Sequence, residues 1–224
     1  VLSDVNPTYA VAEGQDMGFL LGGDVTGYVD ADGNAGPDNE VDQLDVDYVV
    51  SYFGQTVGAG DSGHLADIDR DSLVWISDLN MVAGNFNRQG AQPVYKMAVQ
   101  SAQSAHWFTN SDEQNDFLQV EIGAAGLVAA RAFAFRLLYD PQIWVFDGAE
   151  TQALAGLPAV VANGHSHGQV ILGAALSGEH RGLSGERVMA QVRLRRVGQG
   201  QADLQLLDAE WVDANLRRHR ASSE

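Results

Sequence analysis

Cysteine is absent from this 224-residue chain, so neither disulfides nor thiolate metal sites can contribute to it. Long apolar runs are absent too, and no membrane-spanning helix is expected. The marks of nucleophilic and nucleotide chemistry are missing: there is no Gly-x-Ser-x-Gly, no His-Glu-x-x-His and no phosphate-binding glycine loop. An enzyme is therefore the least expected class. Positive charge is scarce in the first part. Residues 1–90 hold 16 acids against two bases, Arg70 and Arg88, whereas residues 91–224 hold 14 acids and 11 bases. The net charge of −17 thus divides into about −14 and −3. The first part would repel phosphates, which excludes nucleic-acid binding through it. A halophilic or merely soluble surface would share this acidity. Cation binding is the more specific reading. An apolar content of 45% is enough for a packed core, in one large or two small domains. The start at Val1 rather than Met is what a processed or trimmed chain would show.

What the acidic part contains is a register. In residues 67–78, Asp67, Asp69 and Asp71 stand at offsets 1, 3 and 5, and Asp78 follows at offset 12. Ca²⁺ is a hard cation that takes six to eight oxygens, and alternating positions in a tight loop aim three carboxylates at one point. Leu73 offers a backbone carbonyl at position 7, and Asp78 closes the cage from the following helix. Two features depart from an EF-hand: Asp78 replaces Glu at position 12, and Ser72 replaces the turn glycine.

Residues 24–54 repeat this unit. Aligning Asp45 with Asp78 also matches Phe53 with Phe86, eight residues on in each copy. Val46, Val49, Val50 and Phe53 recur at helical spacing, so two helices are expected to bury their faces together. The first loop is longer. Asp24 or Asp30 opens it, and the series Asp30, Asp32, Asn34 has the cleaner alternation. The insertion, which also holds Asp38 and Glu40, has oxygens enough that a third ion stays open.

After the polar stretch 88–93 the period changes to two. Strands are expected over 94–99, 117–123, 130–139, 143–146, 169–175, 187–194 and 202–212. Many short strands with turn signals favour an antiparallel β-sandwich. His165-Ser166-His167 reads as a surface turn before a metal site, and His106-Trp107-Phe108 as a loop anchor before a sugar platform. Trp144 and Trp211 read as core. Arg217-Arg218-His219-Arg220 reads as a solvated tail or as a dock for the acidic part of another copy.

Two loop-helix repeats joined by Gly54-Gln55-Thr56-Val57-Gly58-Ala59-Gly60 resemble a dockerin module. That resemblance implies two Ca²⁺ sites and docking on a cohesin domain. Its contact positions, carried over, are Gln43, Leu44, Ile76 and Ser77. The second half resembles a cohesin or a close jelly-roll relative, through Phe133-Ala134-Phe135-Arg136-Leu137-Leu138-Tyr139-Asp140-Pro141, Ile143-Trp144-Val145-Phe146 and residues 185–192. The expected class is multidomain α + β: an arm over 1–23, a small α-helical dockerin-like unit over 24–88, a cohesin-like β-sandwich over 94–216 and a basic, polar tail over 217–224. A short linker is expected to hinder the unit from folding back on its own sandwich. Contact between copies is then head-to-tail and heterologous, giving rings or open filaments. The function this implies is calcium-dependent self-assembly, extracellular or at the cell surface. The alternatives are an adaptor that binds cohesin- or dockerin-type partners and a carbohydrate-binding module.

Overall fold

The computed structural model describes residues 22–29, 35–38, 40–89, 99–101, 106–154, 156–178 and 181–220. Residues 1–21, which make up nearly all of the expected arm, lie outside that set, as do 90–98, where most of the linker and the first expected strand fall.

Two ten-residue helices carry the acidic part, α1 (Gln43–Tyr52) and α2 (Ile76–Asn85). Asp42 caps α1: its carboxylate accepts the Leu44 N–H at 2.7 Å, and Asp45 accepts the Asp42 N–H at 2.9 Å. This reciprocal capping satisfies donors that the first turn leaves free. Asp78 does the same for the Trp75 N–H at 2.9 Å. A hairpin of β1 (Gly27–Val29) and β2 (Ala35–Pro37) occupies the long first loop. Strand β3 (Glu40–Val41) pairs with β4 (Arg88–Gln89), and the Asn87 N–H bonds the Val41 carbonyl at 2.8 Å. The end of the second helix thus returns to the end of the first loop and closes the unit.

The second part is a β-sandwich organised on one long strand. Its strands are β5 (Val99–Ser101), β6 (His106–Gln114), β7 (Phe117–Tyr139), β8 (Trp144–Glu150), β9 (Ala159–Ser166), β10 (Gln169–Leu176), β11 (Leu183–Arg196), β12 (Leu204–Asp213) and β13 (Arg218–Arg220). The first half of β7 pairs with β6 and β11, and β11 pairs with β8. Its second half pairs with β10 and β12, extending to β9, β13 and β5. Every pairing is antiparallel except that of β13 with β5. The sequence suggests two strands over 117–139, but the structure joins them. Gly126 and Ala129 take positive φ and the register with β11 shifts, so β7 bends from one layer to the other without ending. Gly182 lies across this bend, and a Cβ there would meet the Ala129 carbonyl oxygen at 2.4 Å.

Side chains alternate on β7. Phe133, Phe135, Leu137 and Tyr139 point between the layers, where they join Leu172, Val192, Leu194 and Trp144. Ala132 and Ala134 point outward. The register sets two rows on that outer face: Val160, Ala175, Ala132 and Val212, then Ala162, Gly173, Ala134 and Glu210. The rows hold almost nothing larger than valine, so a helix can approach closely.

Helix α2 takes that place. Ile76, Leu79, Val82 and Ala83 share one buried cluster with Ala132, Ala134, Ala162, Ala175 and Val212. Full burial of side chains such as Ile76, Leu79 and Val82 contributes about 1.5–3 kcal/mol each. The Gly178 N–H bonds the Ala83 carbonyl at 3.1 Å, and the Phe53 ring stacks on Trp75 with centroids 4.9 Å apart. The unit is therefore seated on its own sandwich, contrary to the expectation that a short linker hinders this. The physical reason is the small-residue face, whose depth lets α2 bury almost all its residues.

Gly173 tests this packing. A Cβ there would lie 2.3 Å from Cζ of Phe53. Gly173→Val is expected to cost about 1–3 kcal/mol, the range for overpacking. It is expected to separate melting of residues 22–89 from that of the sandwich, read by calorimetry; an unchanged single transition would count against the packing.

Candidate metal centre and docking face

The loop over 67–78 is held open by its own backbone donors. Asp67 accepts from the Asp71 N–H through Oδ1 and from the Ser72 N–H through Oδ2, both at 3.0 Å. Asp71 accepts from the Leu73 N–H at 3.0 Å. Arg70 and Ser72 take φ of 61° and 75°, so Ser72 adopts the left-handed turn that glycine usually supplies. Leu73 bridges Thr56 of the connection after α1. The outcome is a cluster in which Asp67, Asp69 and Asp71 each bring an oxygen within 4.8 Å of the others.

Asp78 sits behind this cluster, fully buried. Its Oδ1 accepts the N–H groups of Ile68 at 2.6 Å and Asp69 at 3.1 Å, which clamps the start of the loop to the helix. Burial, and then the charge of Asp69, push its carboxyl up to about 8. Burial, and then Asp71, raise Asp69 as well. Ser77 is 1% exposed; its hydroxyl has no hydrogen-bond partner of good geometry, yet it lies near enough to Asp69 to offset part of that rise.

The first loop has the same frame. Asp45 Oδ1 accepts from Val25 at 2.7 Å and Thr26 at 2.9 Å, as Asp78 does from Ile68 and Asp69. Asp24 therefore corresponds to Asp67. Asp24 accepts from the Asp38 N–H at 3.0 Å, and Asp38 from the Glu40 N–H at 3.1 Å, the pattern of Asp67, Asp71 and Leu73. The first loop is the second with a hairpin inserted between positions 3 and 5, and Asp38 takes the place of Asp71. Asp30, Asp32 and Asn34 belong to that insertion and lie outside the described residues. Asp38 is the ligand candidate that the alternation of the insertion hid. It stands seven residues before Asp45, as Asp71 stands seven before Asp78, and that count is visible in the sequence. Gly27 at φ 107° is required here, because a Cβ would strike the Asp38 carboxylate.

The donor set fits calcium in the second loop: three carboxylates at alternating positions, oxygen only. The first loop offers Asp24 and Asp38, with the Thr26 hydroxyl where the second has Asp69, and Asp45 ties loop to helix as Asp78 does.

The four contact candidates divide between two environments. Gln43 bonds Asp47 at the surface, and Leu44 is 56% exposed. Ile76 and Ser77 are buried on α2. Residues 218–220 of the basic tail form β13, part of the sheet, and 221–224 lie outside the described residues. Glu210, fully buried, receives Arg218 at 2.5 Å and also pairs with Arg220. Arg218 reaches on to Asp71 of the loop at 2.9 Å. His219 stacks on Trp211 and bonds Asp213 at 2.9 Å. The docking of this tail on the acidic part is thus made within one chain.

Trp107 packs partly buried against the core, edge-on to Phe135, and His165 stacks on Phe146. Trp144 and Trp211 are core.

No protein-family model matches the chain, and no curated protein does. Solved cohesin modules are similar to about half of the chain. The sixth cohesin of scaffoldin B from Acetivibrio cellulolyticus, solved with a Cel5 dockerin mutant, covers 54% of this chain and 94% of its own, at 13% identity and a TM-score of 0.46. A cohesin module of a family 33 glycoside hydrolase from Clostridium perfringens covers 53% and 90%, at 13% identity and 0.44. A non-cellulosomal cohesin from Archaeoglobus fulgidus covers 53% and 92%, at 15% and 0.41. Likeness at this level says nothing about partners, and it covers about half of the chain.

Asp78→Ala would strand three buried N–H groups, each worth about 1–3 kcal/mol when left unsatisfied. The variant is expected to lose protection from hydrogen exchange over residues 68–85 while 118–139 stay protected. Equal loss in both regions would contradict this.

Proposed function

We propose that this chain is a non-enzymatic, calcium-stabilised docking protein of the extracellular space or cell surface. Its helical unit and its sandwich are the two halves of one contact. The observation that carries the reading is the seat of α2 on the small-residue outer face of the sandwich, next to a loop whose donors suit a hard cation. Calcium enters through Asp67, Asp69 and Asp71 in one loop and Asp24 and Asp38 in the other. Bound there, it adds positive charge to a cluster in which Asp71 already pairs with Arg218. Asp78 and Asp45 tie each loop to its helix.

A contact closed within one chain can also be made between chains if the unit is exchanged. Exchange between two copies gives a closed dimer, and serial exchange gives the head-to-tail ring or filament that the sequence suggests. Calcium favours the exchanged state by lowering repulsion between acidic units; two ions bring four charges against about −14. The adaptor reading has its own support in Gln43 and Leu44, which stay exposed on α1 while Ile76 and Ser77 are covered. A carbohydrate platform has little: Phe117, at 39%, is the one aromatic among the strongly exposed apolar side chains of the described residues, and Arg193 covers it.

Calorimetry is expected to find about two Ca²⁺ per chain. Light scattering of concentrated protein is expected to rise with Ca²⁺ and fall with chelator. Absence of Ca²⁺ binding at millimolar concentration would overturn the calcium reading. A chain that binds Ca²⁺ but stays monomeric would leave the adaptor.

A further inference from the structure

Arg218 belongs to the sandwich, yet its guanidinium ends on the metal-type loop. Its side chain is 5% exposed and is pinned from behind by Glu210, itself 1% exposed, at 2.5 Å. From that fixed seat it holds Oδ2 of Asp71 at 2.9 Å. The other oxygen of Asp71 is engaged by the Leu73 N–H. Asp71 is also one of the three carboxylates whose oxygens converge within 4.8 Å. A positive charge is therefore already lodged against the cluster, and the buried hydroxyl of Ser77 lies near Asp69 of the same cluster.

We infer that Arg218 is a resident counter-cation of this loop, which competes with a bound divalent ion for the charge of Asp71 and so sets the loop's affinity. The inference rests on the calcium reading above. A second cation near the same carboxylate repels the first, and two charges on the ion double the effect. Arg218 cannot swing away, because Glu210 holds it under the docked unit. The first loop has Asp38 in the place of Asp71, and among the described residues no ion pair joins Asp38 to a base of the sandwich. The two loops therefore differ in affinity beyond their ligand sets. Linkage makes the effect mutual. Calcium in the second loop weakens the Asp71–Arg218 tie, which is one of the bonds that hold the unit on the sandwich. Ion loading then eases release of the unit for exchange with another copy.

Calcium titration of the full chain by calorimetry tests this. Arg218→Met is expected to tighten binding at one of the two sites by about three- to tenfold, the range for one charge removed next to a divalent ion at moderate screening. Arg220→Met removes a base that also pairs with Glu210 but, among the described residues, forms no ion pair with the loop, and is expected to change affinity less than twofold. Because Arg218→Met leaves Glu210 buried with less compensation, Arg218→Met/Glu210→Met is the second variant. It keeps the net charge and takes out both buried ions, and a smaller tightening of the same sign is expected. Unchanged or weaker binding in both variants overturns the inference. Absence of Ca²⁺ binding in every chain, wild type included, overturns the calcium reading itself, which is a distinguishable result. In the wild type, amide exchange at Arg218–Arg220 is expected to quicken on adding Ca²⁺, and slower exchange would count against competition.

Discussion

The closeness with which α2 can approach the sheet decides the rest of this structure. Gly173 and Ala134 leave a shallow trough, and Ala162, Ala132 and Ala175 flank it. Phe53 fills the space above Gly173. The trough is what turns two amphipathic helices and two loops into part of one packed body. Without it the unit would have to bury Ile76, Leu79 and Val82 elsewhere, because a pair of ten-residue helices has too little surface of its own to do so.

Packing at the trough brings a problem of charge, and the tail answers it. The row that holds Gly173 and Ala134 continues to Glu210, which docking buries. A lone buried carboxylate is costly. Strand β13 places Arg218 and Arg220 on it, and Arg218 extends the network to Asp71. Docking, tail and loop thus form one chain of contacts. What happens to the charge of the loop is felt at the edge of the sandwich.

Much of this was legible in the sequence, for reasons that can be named. The Asp67, Asp69, Asp71, Asp78 register is local, so spacing alone locates the loop and its helix. Asp45 matches Asp78 for the same reason. Asp38 is legible too, by counting back seven from Asp45, but the alternating Asp30, Asp32, Asn34 presents a competing register. Strands β6 and β9 escaped because neither has a strong pattern of its own. β6 ends in Thr109-Asn110-Ser111-Asp112-Glu113-Gln114 and is a strand because β7 pairs with it. The seat of α2 was written only indirectly. Ala132 and Ala134 alternate with Phe133 and Phe135, so both faces of β7 are apolar, the mark of a strand covered on both sides. Which element covers it is a long-range fact that periodicity does not carry.

The central claim is that the unit is seated on its own sandwich. The chain has no cysteine, so Ser51→Cys on the exposed side of α1 accepts a single nitroxide. Relaxation of amide signals in β9 and β10 then reports its distance. In spin-labelled, isotope-labelled protein held in chelator and diluted with unlabelled chains, broadening at Val160, Ala162 and Gly173 is predicted to persist unchanged. Broadening that vanishes on dilution, or that arises only when spin label and isotope are on different chains, would contradict the account.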